Sequence, residues 1–279
     1  MIIASEIAPS PELSPFVRCY TYRQFDTKGL DMKKPWHAAH EVSLVFFFNA
    51  WPVHLLDPHT GQILQTGSYA GVSGLGSHYN GEMTFNGDYS FFEIYFRPTG
   101  FNKIFGIPSS KITNQIINAD DIFDSEARYL FERLCEAKSL VTMGILANTY
   151  LLAILKSRKS GHDVSLTFLS NLITKNPGMF NVAQLAYTAN MCSRNLERYF
   201  LEQVGLSPKQ FCSVVRFNNA LNLKLSHPQK DWTSIAHEGG YFDQMHLIKD
   251  FKRFSGNAPS SFLKHTPIAQ ETYTSRVAT

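Results

Sequence analysis

The sequence predicts an α+β protein: a β-rich N-terminal half, then an all-helical C-terminal half built on a duplicated pair of short helices. Three observations carry this. Aromatic and β-branched runs separated by glycine turns crowd the first half, and 23 of the 37 Phe, Trp and Tyr residues precede residue 160. From about residue 120 the signal changes to apolar residues at i, i+3, i+4. One pattern is also written twice. Leu196, Phe200, Gly205, Pro208 and Phe211 recur fifty-one residues on as Leu247, Phe251, Gly256, Pro259 and Phe262.

Size and composition set bounds. At 279 residues and 44% hydrophobic, the chain can fill two cores. A net charge of +3 and a pI near 8.6 do not single out a nucleic-acid partner, because a local patch matters more than the total. Cys19, Cys135, Cys192 and Cys212 lie far apart, with no CxxC pair and no zinc spacing, which points to reduced thiols in a cytoplasm. The N-terminus carries Glu6 and two early prolines and lacks a basic n-region, so it does not read as a signal peptide. The longest apolar stretch, "SLVTMGILANTYLLAIL", is interrupted by Thr142, Gly144, Asn148 and Thr149 and reads as a buried helix rather than a membrane span. The expectation is a cytoplasmic protein with no membrane partner.

In chain order, "VSLVFFFNAWPVHLL" and "YSFFEIYF" read as strands, and "GVSGLGSHYNGEMTFNG" supplies turns between them. Aromatic strands with glycine turns fit a small barrel or a double-sheet roll. In "DSEARYLFERLCEA", Ala127, Leu130, Phe131, Leu134 and Cys135 make one apolar face, and a second helix follows from about Leu140. These two helices, about 124–158, carry more apolar positions than capping a small roll needs, and they read as a homodimer seam. "KSRKSGHD", residues 156–163, is the linker. The chain therefore divides into a first domain over 1–160, a helical domain over 161–267 and a frayed tail over 268–279.

In the first copy of the repeat, Asn181 caps "VAQLAYTA", with Val182, Leu185 and Ala186 inward. "NMCS" turns the chain and Ser193 caps "RNLERYFLEQ". Burying Leu196, Tyr199 and Phe200 leaves Arg194, Glu197 and Arg198 on one solvent-facing strip. In the second copy, "WTSIAHEGG" leads through Gly239-Gly240-Tyr241-Phe242 into "DQMHLIKDFKRFS". Asp243 is its cap, Leu247, Ile248 and Phe251 lie inside, and Lys249, Lys252 and Arg253 lie outside. The second turn is one residue longer: Ala186 to Leu196 is ten positions, Ala236 to Leu247 eleven. Glycine suits such a turn because it carries no Cβ penalty at positive φ. Two short helices joined tightly, the second exposing polar and basic groups, make the helix-turn-helix plan. Between the copies, Ser207 caps and Pro208 opens a helix of roughly 30 Å, with Phe211, Val214, Val215, Ala220, Leu221 and Leu225 as packing positions. Successive major grooves are ~34 Å apart, so this helix can set two reading helices one DNA turn apart.

These stretches resemble the DNA-binding domain of AraC/XylS-type transcription regulators. The resemblance rests on "VAQLAYTANMCSRNLERYFLEQVGLSPKQFCSVVRFNNAL" and on Ile235-Ala236, Gly240-Tyr241, Asp243-Gln244, Phe251-Lys252, Phe254, Gly256 and Pro259, and it covers about residues 165–265. It implies a transcription regulator that binds double-stranded DNA through Ser193, Arg194, Glu197, Arg198, Gln244, Met245, Lys249, Lys252 and Arg253. Met245 stands where the family usually has a small polar residue. The first half resembles, more loosely, the sensor portions of such regulators, which implies a cupin-like barrel, a small-molecule effector, a homodimer and RNA polymerase as a further partner.

The competing readings are weaker. His37, His40 and Glu41 invite a metal, but "HAAHE" lacks the HxH-then-Glu spacing of a cupin site, so no metal and no cofactor are assigned. Trp36, Phe46, Phe48, Trp51, Phe92 and Tyr95 are core residues, or a few of them line a ligand cavity. Cys192 reads as a small buried filler rather than a redox trigger. Two enzymes remain as alternatives, a DNA-repair-type methyl acceptor and a cupin-type enzyme, each fused to a DNA-binding domain. The scattered cysteines argue against the first. The missing metal pattern and the absence of a Ser/His/Asp or paired-carboxylate signature argue against the second, so no catalytic residue is assigned.

Overall fold

The computed structural model describes residues 3–52, 54–57, 60, 62–158 and 164–265. Among them the first half contains strands β1 (Ile3–Ile7), β2 (Val17–Asp26), β3 (Met32–Pro35), β4 (Val42–Phe47), β5 (His54–Leu56), β6 (Ile63–Thr66), β7 (Ala70–Ser73), β8 (Glu82–Phe85), β9 (Asp88–Phe96) and β10 (Ile116–Asn118). They form two sheets, ordered β1-β2-β9-β4-β7-β10 and β3-β8-β5-β6, with every pairing antiparallel. This is the double-sheet roll that the aromatic runs predict.

Strand alternation gives the large sheet two different faces. Tyr20, Phe46, Phe92, Ile94 and Phe96 are fully buried on one face. That face meets helices α1 (Gly100–Phe105), α2 (Asp124–Glu136) and α3 (Leu140–Ser157), and each buried ring contributes about 1.5–3 kcal/mol. Ser139 caps α3 by accepting from Thr142 N at 3.1 Å, and the Tyr20 hydroxyl donates to Asn148 Oδ1 at 2.8 Å. Arg23, Phe25, Phe47, Phe91, Glu93 and Tyr95 point the other way. The register sets Phe91 between Arg23 and Phe47. On that side Phe25, Phe47, Phe85, Tyr89 and Phe91 form a second apolar cluster bridging to the small sheet.

The α3 helix is buried on one side only. Met143, Gly144, Ala147 and Leu151 face the sheet, whereas Val141 and Ile145 are 62% and 59% exposed. By length and mean hydropathy this helix could cross a membrane, but its inner face is already occupied by the sheet. In α2, Ala127, Leu130 and Leu134 are buried as the apolar period predicts, while Cys135 is exposed, because the helix turns that edge outward. Trp51, expected in the core, is 47% exposed in the segment after β4.

The second half is helical: α4 (Val164–Lys175), α5 (Val182–Thr188), α6 (Ser193–Gln203), α7 (Pro208–Ser226), α8 (Trp232–Glu238), α9 (Gln244–Ser255) and α10 (Pro259–His265). The duplication in sequence is a duplication in space. Leu196, Phe200 and Phe211, like Leu247, Phe251 and Phe262, are fully buried, and Gly205 and Gly256 hold φ +97° and +75°. In both turns the same bond closes the loop: Met191 N donates to Ala186 O, and Tyr241 N to Ala236 O, each at 2.9 Å. The extra residue of the second turn is therefore Phe242, which is 94% exposed. The paired glycines have separate reasons. Gly240 has φ +79°, whereas Gly239, at φ −73°, has no room for a Cβ, which would lie 2.8 Å from Ile235 O.

The two halves share a continuous apolar core, and polar contacts join them at matching points of the repeat. Ser109 Oγ donates to Gln203 O at 2.9 Å, and Ala38 N donates to Phe254 O at 2.9 Å. Gln203 and Phe254 are the same position of the two copies. Thr113 Oγ1 also donates to Gly205 O at 2.8 Å, and Tyr79 N to Arg253 O at 3.1 Å. The carbonyls that a helix end leaves without partners are thus taken up by the first half of the chain. A Cβ on Gly205 would lie 2.6 Å from Thr113 Oγ1 and 3.0 Å from Ser109 O. We expect Gly205→Ala to lower stability by about 1–3 kcal/mol in urea unfolding, since positive φ and a backbone clash coincide. A loss below ~0.5 kcal/mol would show that the seam yields freely.

Candidate functional site

The outer surface of the second half is built by the buried stripes. With Leu196 and Phe200 inward, Ser193, Arg194, Glu197 and Arg198 are all exposed on α6. With Leu247 and Phe251 inward, Gln244, Met245, Lys249, Lys252 and Arg253 are exposed on α9. The structure thus brings each set named from sequence onto the open side of its own reading helix. Arg198 and Arg253 hold their guanidinium carbons over the rings of neighbouring Tyr199 and Phe254 at 4.5 and 5.1 Å, and both residues remain exposed.

Capping differs between the copies. Asp243 caps α9, accepting from His246 N at 2.7 Å. In α6 the expected cap is displaced by one: Cys192, in extended backbone, precedes the first helical residue Ser193, and no side chain caps the end. Cys192 is exposed rather than a buried filler, because its position belongs to the turn. That helix start leaves its first backbone N–H groups without a side-chain cap, an arrangement suited to phosphate.

The rotation of α9 is locked from α7. Arg216 bonds Asp250 Oδ2 at 3.2 Å and His246 Nε2 at 3.0 Å, with its guanidinium 4.7 Å from the Tyr241 ring centre. Burial pushes the Tyr241 hydroxyl pKa well up, with the Asp250 charge adding to it. His246 is thus turned back onto the fold, which leaves Gln244, Met245 and Lys249 as the outward groups at the front of α9. Sequence reading missed Arg216 and also Lys224, a lysine only 7% exposed whose Nζ donates to Pro228 O and Lys230 O. Both sit among apolar neighbours in one helix, and that interruption of the stripe is the signal that could have found them.

A second feature lies in the first half. Between the sheets is a cavity of about 300 Å³, within the range of small-molecule sites. Phe25, Trp36, Phe47, Phe85 and Phe91 give it aromatic walls, and Asn218, Leu221 and Asn222 of α7 complete one side. His40 Nδ1 lies 2.6 Å from Asn218 Oδ1, and Asn218 Nδ2 donates to Ala38 O at 2.9 Å. Glu41 bonds Arg18 at 2.6 Å. The residues that suggested a metal are therefore engaged in an ion pair and in the contact between halves, and no metal-binding group occurs among the described residues. Of the early aromatics, Trp36 and Tyr95 line the cavity, while Phe46 and Phe92 are core.

Two helix-turn-helix units sharing one long helix define the class of this domain. A family described as a helix-turn-helix domain matches residues 185–265, and one described as a domain of unknown function (DUF6597) matches residues 5–118. An uncharacterized HTH-type transcriptional regulator of Haemophilus influenzae is 34% identical over 89 residues, covering 32% of this chain and 30% of that protein. The chain thus spans about 30% of the length of this curated relative. ToxT from Vibrio cholerae with an unsaturated fatty acid bound shares the fold, with TM-score 0.51 and 12% identity over 88% of this chain and 94% of ToxT. ToxT bound to (E)-4-(8-methylnaphthalen-1-yl)but-3-enoic acid gives TM-score 0.51 and 11% identity over 88% of this chain and 98% of ToxT. Residues 185–265 are an AraC-type helix-turn-helix domain, as the sequence resemblance implies.

Arg216→Met should leave Asp250, whose side chain is 13% exposed, without its main partner. We expect a loss of about 2–4 kcal/mol in urea unfolding, with part recovered by adding Asp250→Asn. An additive double variant would show that Arg216 does not hold α9 through Asp250.

Proposed function

We propose that this chain is a sequence-specific transcription regulator, not an enzyme, that reads two successive major grooves of cytoplasmic double-stranded DNA and answers to a small molecule in its first half. The observation that carries the reading is the equivalent exposure of polar strips on α6 and α9, with α7 between them. Nineteen residues make α7 about 28 Å long, close to the ~34 Å between grooves on one face of B-DNA. In this reading Arg194, Glu197 and Arg198 address base edges in one groove, and Gln244 and Lys249 in the next. Ser193 and Lys252 serve phosphates, and Arg253 flanks them.

The division is a first domain over 1–160 and a DNA-binding domain over 161–267, with the tail over 268–279; residues 159–163 of the linker and the tail lie outside the described residues. The cavity supports the effector half of the proposal. It is lined from both halves of the chain, and ToxT, a protein of the same fold, is described with small molecules bound. The exposed apolar side chains Tyr129, Val141 and Ile145 of α2 and α3 support a homodimer seam. RNA polymerase is the remaining partner of the reading.

Binding-site selection from random DNA tests the proposal. Arg194→Ala and Arg198→Ala should relax base preference in one half of the selected site, by about 1–3 kcal/mol at the affected position. Lys252→Ala should weaken all sequences alike and reduce the salt slope by about 1 unit. An unchanged motif in the first two variants, or a footprint over a single groove, would sink the reading. For the seam, sedimentation at about tens of micromolar should show a dimer that Ile145→Glu dissociates. A monomer with and without DNA would refute it.

A further inference from the structure

The cavity's aromatic walls invite an apolar ligand, but its polar floor decides the ligand's charge. Arg18 and Arg23 are the guanidinium groups that line it, and both are already paired. Arg18 lies 2.6 Å from Glu41 and 3.5 Å from Glu6. Arg23 donates from one terminal nitrogen to Glu93 at 3.1 Å and to the Tyr95 hydroxyl at 3.0 Å, and Tyr95 donates to Glu93 at 2.7 Å. Three carboxylates, Glu6, Glu41 and Glu93, therefore stand beside two guanidiniums. Among the lining groups themselves, Arg18, Arg23 and Lys34 face Glu41 and Glu93, and Glu6 takes up Arg18 from outside the lining. A carboxylate that sought Arg23 would meet Glu93 already on the same guanidinium. At the effective dielectric of a partly buried site, two like charges about 4 Å apart repel by several kcal/mol.

Arg23 keeps a buried donor without a partner. Arg23 is 3% exposed, lines the cavity, and its Nε is buried without a hydrogen-bond partner. A buried donor in that state favours an acceptor brought by a ligand, and a neutral oxygen supplies one without adding charge. Phe25, Trp36, Phe47 and Phe91 around it suit the faces and edges of a flat ring.

We infer that the cavity takes an uncharged aromatic molecule carrying a carbonyl or hydroxyl oxygen, which accepts from Arg23 Nε, and that Glu93 excludes the corresponding acid. This rests on the effector reading above and specifies its ligand class. The ring lies in the open space that Phe25, Phe47 and Phe91 line, and its oxygen reaches Arg23 Nε. Burial works against the charge on Arg23, yet Tyr95 and Glu93 hold its pKa above the usual arginine value, so the guanidinium remains a charged donor.

The test uses the full chain and two molecules of nearly one shape, 1-naphthaleneacetamide and 1-naphthaleneacetate, titrated by calorimetry. The amide should bind at least about ten-fold more tightly than the acid. Glu93→Gln should raise affinity for the acid relative to the amide by about ten-fold. Val45→Phe, which narrows the cavity, should weaken the amide in a protein whose melting temperature is checked in parallel. Equal binding of the two molecules, or preference for the acid, would overturn the charge inference while leaving the effector cavity standing. Failure of both to bind at about 1 mM would instead overturn the effector reading, and this inference with it. Amide binding unchanged in a folded Val45→Phe would overturn the location.

Discussion

The structure turns on the burial of α7. A helix in solution needs one apolar stripe; α7 is buried around much of its circumference, and three different surfaces use it. Phe211 packs with Phe200 of the first helix pair, at 6.1 Å between ring centres. Phe217 packs with Phe251 and Phe254 of the second pair, at 5.0 and 5.3 Å. Asn218, Leu221 and Asn222 turn toward the cavity of the first half. Because the rings are buried at separate points along one rigid rod, the rotation of α6 and of α9 is fixed by packing rather than by their polar residues. Those polar residues are therefore free to serve recognition.

This explains which parts of the molecule were legible in sequence. The repeat was legible because its information is local: stripe, turn and cap all fall within some thirty residues, and copying the pattern makes chance agreement improbable. Element positions followed for the same reason, and α2 and α3 begin where the apolar period does. The cap of α6 was misplaced by one residue because the usual preference for serine at that position competes with a turn geometry that the sequence does not display. Cys135 was misplaced because a period of 3.6 leaves the edge of a stripe undecided until a neighbour covers it.

The cavity and the seam were illegible for a different reason. His40 meets Asn218 across 178 positions, and Arg23 meets Glu93 across 70. Such contacts are dictated by strand order and domain docking, neither of which has a local signature. A trace remained nonetheless. Glu93 interrupts the aromatic run "YSFFEIYF" on the face opposite Phe92 and Ile94, and a charge inside an aromatic strand needs a partner on that side. Asking what pairs Glu93 would have led to Arg23, and from there to the polar floor of the cavity.

The contact between the two halves links the cavity to the paired helices. The first half of the chain holds both reading helices, and it holds them at the same place: Gln203 O and Phe254 O are one position of the duplicated motif, and each accepts a hydrogen bond from the sheet-bearing half. Each motif also brings its left-handed glycine against that half, Gly205 onto Thr113 and Gly256 onto Tyr79. Two helices gripped at equivalent ends by one body keep a fixed spacing for as long as that body keeps its shape. Ala38 and His40, which line the cavity, belong to the same short segment that grips α9 and α7. Occupancy of the cavity and the separation of the reading helices are therefore joined through a few residues of backbone. Under the proposed function, a ligand needs only to favour one setting of that segment to change how well both grooves are met together.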